Sequence, residues 1–266
     1  MSRSSNFEDY QDVPRPLAVM ARTYPAGFKG KAHKHPRAQF LHAIRGVMRA
    51  QAANAVWVIP PDRGLWIPPG TLHTVMTRGV VEMRTIYLSA DAIGALPKPC
   101  CVMITTPLLR QLILAALEEP VEYDVNGRAG LIFKLMQDEL TRLPRTPLGV
   151  PMPQGKRLKT ACDTLIADPA SRLGLDALAR EAGASARTLA REFATETGLS
   201  FTAWRNRLRL AEASAQLAEG ASVAEAARRC GYASPSAFTA MMRRTLGTTP
   251  RGVDREREAH QLGRSD

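Results

Sequence analysis

Cysteine is scarce in this chain: four residues among 266, Cys100, Cys101, Cys162 and Cys230, with no C-x-x-C pair. The adjacent Cys100 and Cys101 are badly placed to bond to each other, so no disulfide framework is expected and the thiols read as free in a reducing compartment. Long apolar runs are missing as well. Stretches without a charged residue, such as residues 64–77, are too short for a spanning helix and are broken by Pro68, Pro69 and Gly70. The opening segment MSRSSNFEDYQDVPRP carries acids and lacks an apolar h-region, which argues against a signal peptide. These absences point to a soluble, cytoplasmic protein with no membrane partner. Acidic residues are outnumbered: 25 Asp and Glu face 36 Lys and Arg, for a net charge of +11 and a pI near 10.0. Such a balance favours a polyanionic partner. It does not locate that partner, because a split at residue 155 leaves 18 basic and 12 acidic residues before it and 18 and 13 after it. With 45% hydrophobic and 23% charged residues the composition is that of an ordinary globular protein, and the length suggests about two domains.

From residue 17 to residue 88, short β-rich runs at 40–44, 56–59, 65–67, 73–76 and 80–88 are punctuated by Pro and Gly turns, which predicts a sandwich or small barrel. After residue 96 the period changes. Residues 106–119 put Leu109, Leu112, Ile113 and Leu117 on one helical face, and residues 129–142 do the same with Ile132, Leu135, Met136 and Leu140. Residues 143–153 hold four prolines in eleven positions and read as a linker. Beyond it the pattern is helical to about residue 247. The predicted organisation is a β-barrel-like unit over 1–98, a helical coupling and dimerisation segment with the linker over 99–155, an all-α domain over 156–251 and a charged tail over 252–266.

The helical half repeats a single unit, across residues 175–197 and again across 223–246, about 48 residues apart: short helix, Gly, a few small residues with Ser, longer helix. Ser185 caps the first of the longer helices, which Gly198 closes. Ser222 and Glu225 form a capping box, and Ser234 precedes Pro235 at a helix start. Each unit is a helix-turn-helix, whose second helix enters the major groove of double-stranded DNA and reads it with the outward residues of its first turns. Leu189 and Phe193 face inward, leaving Ala186, Arg187, Ala190 and Arg191 outward. In the second copy Phe238 and Met242 face inward, leaving Pro235, Ser236, Thr239, Ala240 and Arg243 outward. Arg187 and Arg191 can each fork onto a guanine edge or sit on a phosphate. Arginines on a helix surface are as a rule a solvated face; two copies of the unit joined by one long helix outweigh that.

The stretch Ala227-Arg-Arg-Cys-Gly-Tyr-Ala-Ser-Pro-Ser-Ala-Phe-Thr239, followed by Met242-Arg-Arg-Thr-Leu-Gly-Thr-Thr-Pro250, resembles the signature of the AraC/XylS-type transcriptional regulators. That signature reads A-x-x-x-G-[FY]-x-S-x-S-x-F-[ST], then [FKR]-[KR]-x-x-G-x-[ST]-P. Met242 stands where the family usually has Phe, a swap that cores tolerate. The resemblance covers roughly residues 156–251. It implies DNA contacts from Ser185, Ala186, Arg187, Arg191, Ser234, Pro235, Ser236, Thr239 and Arg243, with RNA polymerase as a further partner.

In the N-terminal half, Gly27-x5-His33-x-His35-x3-Gln39-x6-Gly46, followed by Pro68-x-Gly70-x2-His73, is similar to the two motifs of the cupin β-barrel. The resemblance implies a divalent transition metal on His33, His35, Gln39 and His73. The spacing agrees, since alternate residues of a strand share a face, and imidazoles suit Zn, Ni, Cu or Fe with an amide oxygen as a weaker ligand. Gln39 replaces the family's carboxylate and Asp62 stands where the second motif opens with Gly. The loss of that anionic ligand lowers metal affinity, so a metal-free pocket for a small ligand stays open as the alternative. A buried histidine is otherwise most often a hydrogen-bonded core residue; His42 and His260 read as surface or tail. Phe28, Phe40, Trp57, Trp66 and Tyr87 offer aromatic walls for a pocket, although core packing explains most such residues. The strings at 33–39, 66–73 and 83–87 are also similar to a subgroup of these regulators related to nitroimidazole-resistance control.

The expected fold class is thus α+β and multidomain, a cupin-like β-barrel followed by coupling helices and a tandem helix-turn-helix. The expected function is sequence-specific DNA binding and transcription regulation by a homodimer, controlled by a small-molecule or metal effector in the barrel, at the nucleoid. The rival is a cupin metalloenzyme, an oxygenase or isomerase, fused to a DNA-binding domain. Catalysis of that kind needs an acid or base beside an open metal position. No carboxylate stands at the ligand position, and Glu82 is the only acid nearby in sequence.

Overall fold

The computed structural model describes residues 4–146 and 148–246. The end of the family signature at 247–250, the charged tail at 252–266 and His260 lie outside the described residues. In chain order the strands are β1 (Leu17–Tyr24), β2 (Ala38–Arg45), β3 (Met48–Ala52), β4 (Ala55–Ile59), β5 (Arg63–Ile67), β6 (His73–Thr77), β7 (Val81–Leu88), β8 (Cys101–Ile104), β9 (Arg145–Thr146) and β10 (Gly149–Pro151). The helices are α1 (Pro107–Glu118), α2 (Arg128–Arg142), α3 (Lys156–Ala167), α4 (Leu175–Glu181), α5 (Ala186–Thr197), α6 (Phe201–Ala218), α7 (Val223–Arg229) and α8 (Pro235–Leu246). Two compact units result, one from residues up to 53 together with 59–146, the other from 54–58 and the described residues beyond 147.

The first unit is built on a six-stranded antiparallel sheet in the order β1-β7-β2-β5-β8-β9, with β3 and β6 paired separately. Strand alternation sorts its side chains into two sets. Met20, Arg22, Tyr24, Gln39, Leu41, Met83 and Tyr87 line a cavity. Leu17, Val19, Phe40, Ile86 and Leu88 take the other face, where α1 and α2 close a continuous core with Leu109, Ile113, Phe133 and Met136. Thr106 starts α1 by accepting the Leu109 amide at 3.0 Å, and Pro107 sits at the first helical position. The segment read from sequence as a separate coupling element therefore contributes α1 and α2 to the core of the sheet domain. Three strands carry little signal in the sequence. β1 is buried over its first four residues and shows no polar alternation, while β3 and β8 are only five and four residues long.

The proline-rich stretch expected as a linker carries two short strands. β9 pairs with β8 in the first unit. β10 pairs with β4 in the second, Gly149 opposite Trp57, and is held to α6 by Trp204 Nε1 donating to the Pro151 carbonyl at 2.7 Å. Prolines block long ladders, yet two- and three-residue edge strands escape that constraint. The second unit is otherwise helical, around a core of Leu158, Leu165, Leu178, Leu189, Phe193, Trp204 and Leu208.

Candidate sensor pocket and nucleic-acid interface

The cavity of the first unit has a volume of about 380 Å³ and is lined by His33, His73, Gln39 and Tyr87 among others. His73 opens β6, but His33 and His35 lie outside the regular strands. His33 makes an isolated bridge to His73, the two backbones exchanging N–H···O bonds of 2.9 Å each, which sets their rings side by side at 4.3 Å. Gly70, in the left-handed region at φ 69°, turns the chain so that its amide bonds the His35 carbonyl at 2.9 Å. His35 then meets His73 edge-on at 5.1 Å. The outcome is a cluster in which one ligand atom from each of His33, His35 and His73 lies within 4.8 Å of the others.

Each ring is fixed from behind. The Nδ1 atoms of His33, His35 and His73 lie 3.0, 2.7 and 2.9 Å from the carbonyls of Lys31, Arg37 and Thr71. A carbonyl only accepts, so each Nδ1 carries a proton, and in the neutral form of the ring Nε2 is left with a lone pair. Gln39 donates through Nε2 to Thr85 Oγ1 at 3.0 Å and Tyr87 Oη at 3.3 Å, which turns its Oε1 toward His35 Nε2 at 3.4 Å. His73 Nε2 is buried and, among the described residues, has no hydrogen-bond partner. Burial pushes the His73 pKa down to about 4, and burial likewise lowers that of His35, so both imidazoles are neutral near pH 7. Burial raises the Tyr87 pKa, keeping the hydroxyl protonated.

The aromatic residues expected to wall the pocket divide. Tyr87 and Phe28 line it. Phe40 and Trp66 are cross-strand partners on the opposite face, in the core beneath α1 and α2, with Trp66 Nε1 donating to the Pro97 carbonyl at 2.7 Å. Gln39 and Phe40 are neighbours on one strand, so only one of them can face the cavity. Trp57 belongs to the second unit, its ring against the backbone of Gly149. His42, read as surface, is fully buried with Nδ1 3.0 Å from the Arg63 carbonyl. Sequence reading missed Met20, Arg22, Tyr24, Met83 and Phe7. The first four follow from alternation once the register Met20 to Thr85 and Arg22 to Met83 is known.

In the second unit the two helix-turn-helix copies share a backbone pattern. Gly183 and Gly231 have φ of 65° and 72°, and the next residue in each copy closes the short helix, Ala184 N to Ala179 O at 2.8 Å and Tyr232 N to Ala227 O at 2.9 Å. The turns differ by one residue: Ser185 caps α5 two positions after Gly183, whereas Ser234 caps α8 three positions after Gly231. Ser185 accepts the Thr188 amide and Ser234 the Ala237 amide, both at 3.1 Å, and Thr239 Oγ1 donates to the Pro235 carbonyl at 2.9 Å. Those three hydroxyls are therefore engaged by backbone. Arg187, Arg191, Pro235, Ser236, Ala240 and Arg243 are exposed, Ala186 and Ala190 half-buried, while Leu189, Phe193, Phe238 and Met242 are buried. α6 carries the chain from one copy to the other.

A sheet domain with a polar-ended cavity, joined to a tandem helix-turn-helix, is the build of a ligand-binding transcription regulator. Residues 19–120 match the family model described as an AraC-like ligand binding domain, and residues 178–256 match one described as a helix-turn-helix domain. The HTH-type transcriptional regulator NimR of Escherichia coli is 30% identical over 253 residues, 94% of this chain and 92% of that protein. RipA of Corynebacterium glutamicum is 36% identical over 109 residues, 41% of this chain and 32% of its own length. Among solved structures, ToxT of Vibrio cholerae aligns with 88% of this chain and 95% of its own at 12% identity and a TM-score of 0.37. The chain belongs to the AraC-type transcriptional regulators, proteins that bind DNA through the helix-turn-helix domain. These relatives are regulators, and none of them supports the enzyme alternative. Among the described residues no helix is long and apolar enough to cross a membrane, and the cysteines form no disulfide.

Proposed function

We propose that this regulator responds to an effector in the N-terminal cavity, that His33, His35 and His73 hold a divalent transition metal there, with Gln39 Oε1 as a weaker fourth ligand, and that α5 and α8 read successive major-groove segments. The observation that carries the metal assignment is the donor set. Three imidazoles are anchored through Nδ1, the buried His73 Nε2 lacks a partner among the described residues, and two lone pairs, on His35 Nε2 and Gln39 Oε1, face each other at 3.4 Å. Lone pairs so opposed repel unless a cation lies between them. These residues fit Zn, Ni, Cu or Fe. A metal held there would supply a fixed positive charge and a Lewis-acidic position; the chain's own contribution is to orient the three rings and, by burial, to keep those of His35 and His73 neutral. Regulation follows if the effector binds two states of the protein with different affinity.

Arg187 and Arg191 support base or phosphate contacts from α5, and Pro235, Ser236 and Arg243 from α8. The exposed Leu108, Leu131 and Leu135 on α1 and α2 support a homodimer through that face. DNA binding carries with it a cytoplasmic, nucleoid-associated location and contact with RNA polymerase. The test is elemental analysis of full-length protein purified without chelator, paired with binding to a DNA fragment selected from random sequence. About one ion per chain is expected, lost in the His33→Ala, His73→Ala double variant, with DNA affinity that changes when the ion is removed. Wild-type protein that takes up none of the four metals removes the assignment. A monomer mass by light scattering at micromolar concentration removes the dimer.

A further inference from the structure

Arg22 is a cation of the cavity wall that no carboxylate among the described residues pairs. It sits on β1, half-buried, with its guanidinium over the rings of Tyr24 at 4.8 Å and Phe28 at 5.9 Å. Those two rings stack on each other at 4.3 Å. Its polar contacts are the exposed Ser5 carbonyl at 3.3 Å and the neighbouring Tyr24 hydroxyl. Among the described residues no carboxylate lies within ion-pair distance of it. Glu8, the one acid on the cavity wall, is engaged by Asn6 Nδ2 at 3.5 Å. Half-buried guanidinium groups are usually paired, because withdrawing a charge from water without a partner is costly.

Between Arg22 and the histidine end much of the wall is apolar. Met20, Leu41, Val75 and Met83 supply aliphatic and thioether surface, and Phe7, Phe28 and Tyr87 supply rings. With Lys31 also at the wall the charged residues sum to a positive value, and a cation on the imidazoles adds to the same sign. Phe7 packs on His33 at 4.5 Å between ring centres, so aromatic surface continues to the histidine end.

Resting on the sensor reading above, we infer that the effector is a small aromatic monoanion, its ring against the aromatic and methionine wall and its acid group paired with Arg22, which reads the charge. Guanidinium matches a carboxylate in geometry and donates two parallel bonds, and a planar body gains from the ring-lined wall. A neutral molecule of the same shape would leave the Arg22 charge unmatched.

Isothermal titration of the full-length protein with benzoate and 1-naphthoate, each against its own primary amide, tests this. At least one acid should bind saturably and about tenfold or more tighter than its amide, the size expected of a charge-assisted hydrogen bond. Arg22→Gln should bring acid and amide to equal affinity, and Arg22→Lys should keep some of the preference. The melting temperature of each unliganded variant shows whether it is folded, and the Arg22→Lys result decides the matter if Arg22→Gln is not. Equal affinity for acid and amide in the wild type, or a preference that survives Arg22→Gln, overturns the proposal and leaves the sensor reading standing. No binding by any of the four probes at millimolar concentration overturns the proposal and speaks against a small-ligand sensor as well.

Discussion

Gly64→Ala is expected to destabilise the N-terminal unit while leaving its cavity untouched. Gly64 lies on β5, and a Cβ built there would fall 2.1 Å from Phe40 Cζ and 2.6 Å from both Cε atoms. Carbon atoms sit comfortably about 3.5–4.0 Å apart, so the ring would have to retreat by roughly 1.5 Å. Phe40 is fully buried beside Trp66 and Leu109, in a core packed at crystal density with no space to retreat into. Overpacking of this kind costs about 1–3 kcal/mol, and the depth of the overlap puts this case near the top of the range. Phe40→Leu removes the ring tip at a cost on the order of 1–2 kcal/mol. In that background the added methyl fills vacated space and Gly64→Ala should cost little, so a double-mutant cycle should return a coupling of about 1–3 kcal/mol. Urea denaturation of the four proteins at constant m-value gives the cycle. The ring lies across β2 from Gln39 and Leu41, so metal content and ligand affinity should be unchanged in all four. Additive effects would refute the packing, and altered ligand binding in Phe40→Leu would return that ring to the pocket.

Arg187→Ala and Arg191→Ala should each weaken specific DNA binding by about 1–3 kcal/mol if they read bases; an equal loss on random DNA, with a smaller salt slope, would make them phosphate contacts. Gly231→Ala should cost about 1–2 kcal/mol more than Gly183→Ala. Both glycines have positive φ, but a Cβ at Gly231 would lie 2.8 Å from Arg209 Nη2 and 2.9 Å from the Ala170 carbonyl, whereas one at Gly183 meets nothing within 4 Å; equal melting shifts would count against this. Ser185→Ala and Ser234→Ala should each cost about 0.5–2 kcal/mol of stability without altering base preference, because both hydroxyls cap their helices; a changed preference in a DNA selection would show that they contact bases.

The helix-turn-helix half is legible in the sequence because its signals are local. Caps at Ser185, Ser222 and Ser234 and glycines at 183, 198 and 231 act within a few residues, and the structure uses them as read. The convergence of His33, His35 and His73 is legible from spacing, although an isolated bridge from His33 to the start of β6, rather than a strand carrying His33 and His35, produces it. What escapes depends on pairing distant in sequence. Trp57 reads as a pocket wall because nothing near it reveals that its partner is Gly149. Phe40 and Trp66 read as barrel interior because register, which decides the face of a strand, is not written in either strand alone. Arg22 looks in sequence like any surface charge; only its place on β1 opposite Met83 turns it into the cavity.

The pairing of β4 with β10 bears on how the chain is made. The second unit takes in residues 54–58, which leave the ribosome long before Gly149 and longer before Trp204. The helical half can begin to fold by itself, but its β10 edge stays uncapped until the earlier strand joins it. An uncapped edge with the nearby Trp57 surface is a template for pairing with another chain. Cutting this regulator at its proline-rich segment, the natural place to separate sensor from reader, would discard β4 with the sheet domain and leave that edge open. Its two halves are therefore not interchangeable modules: the reader keeps one strand inside the sensor's stretch of sequence, and any fusion that borrows the reader has to bring a replacement.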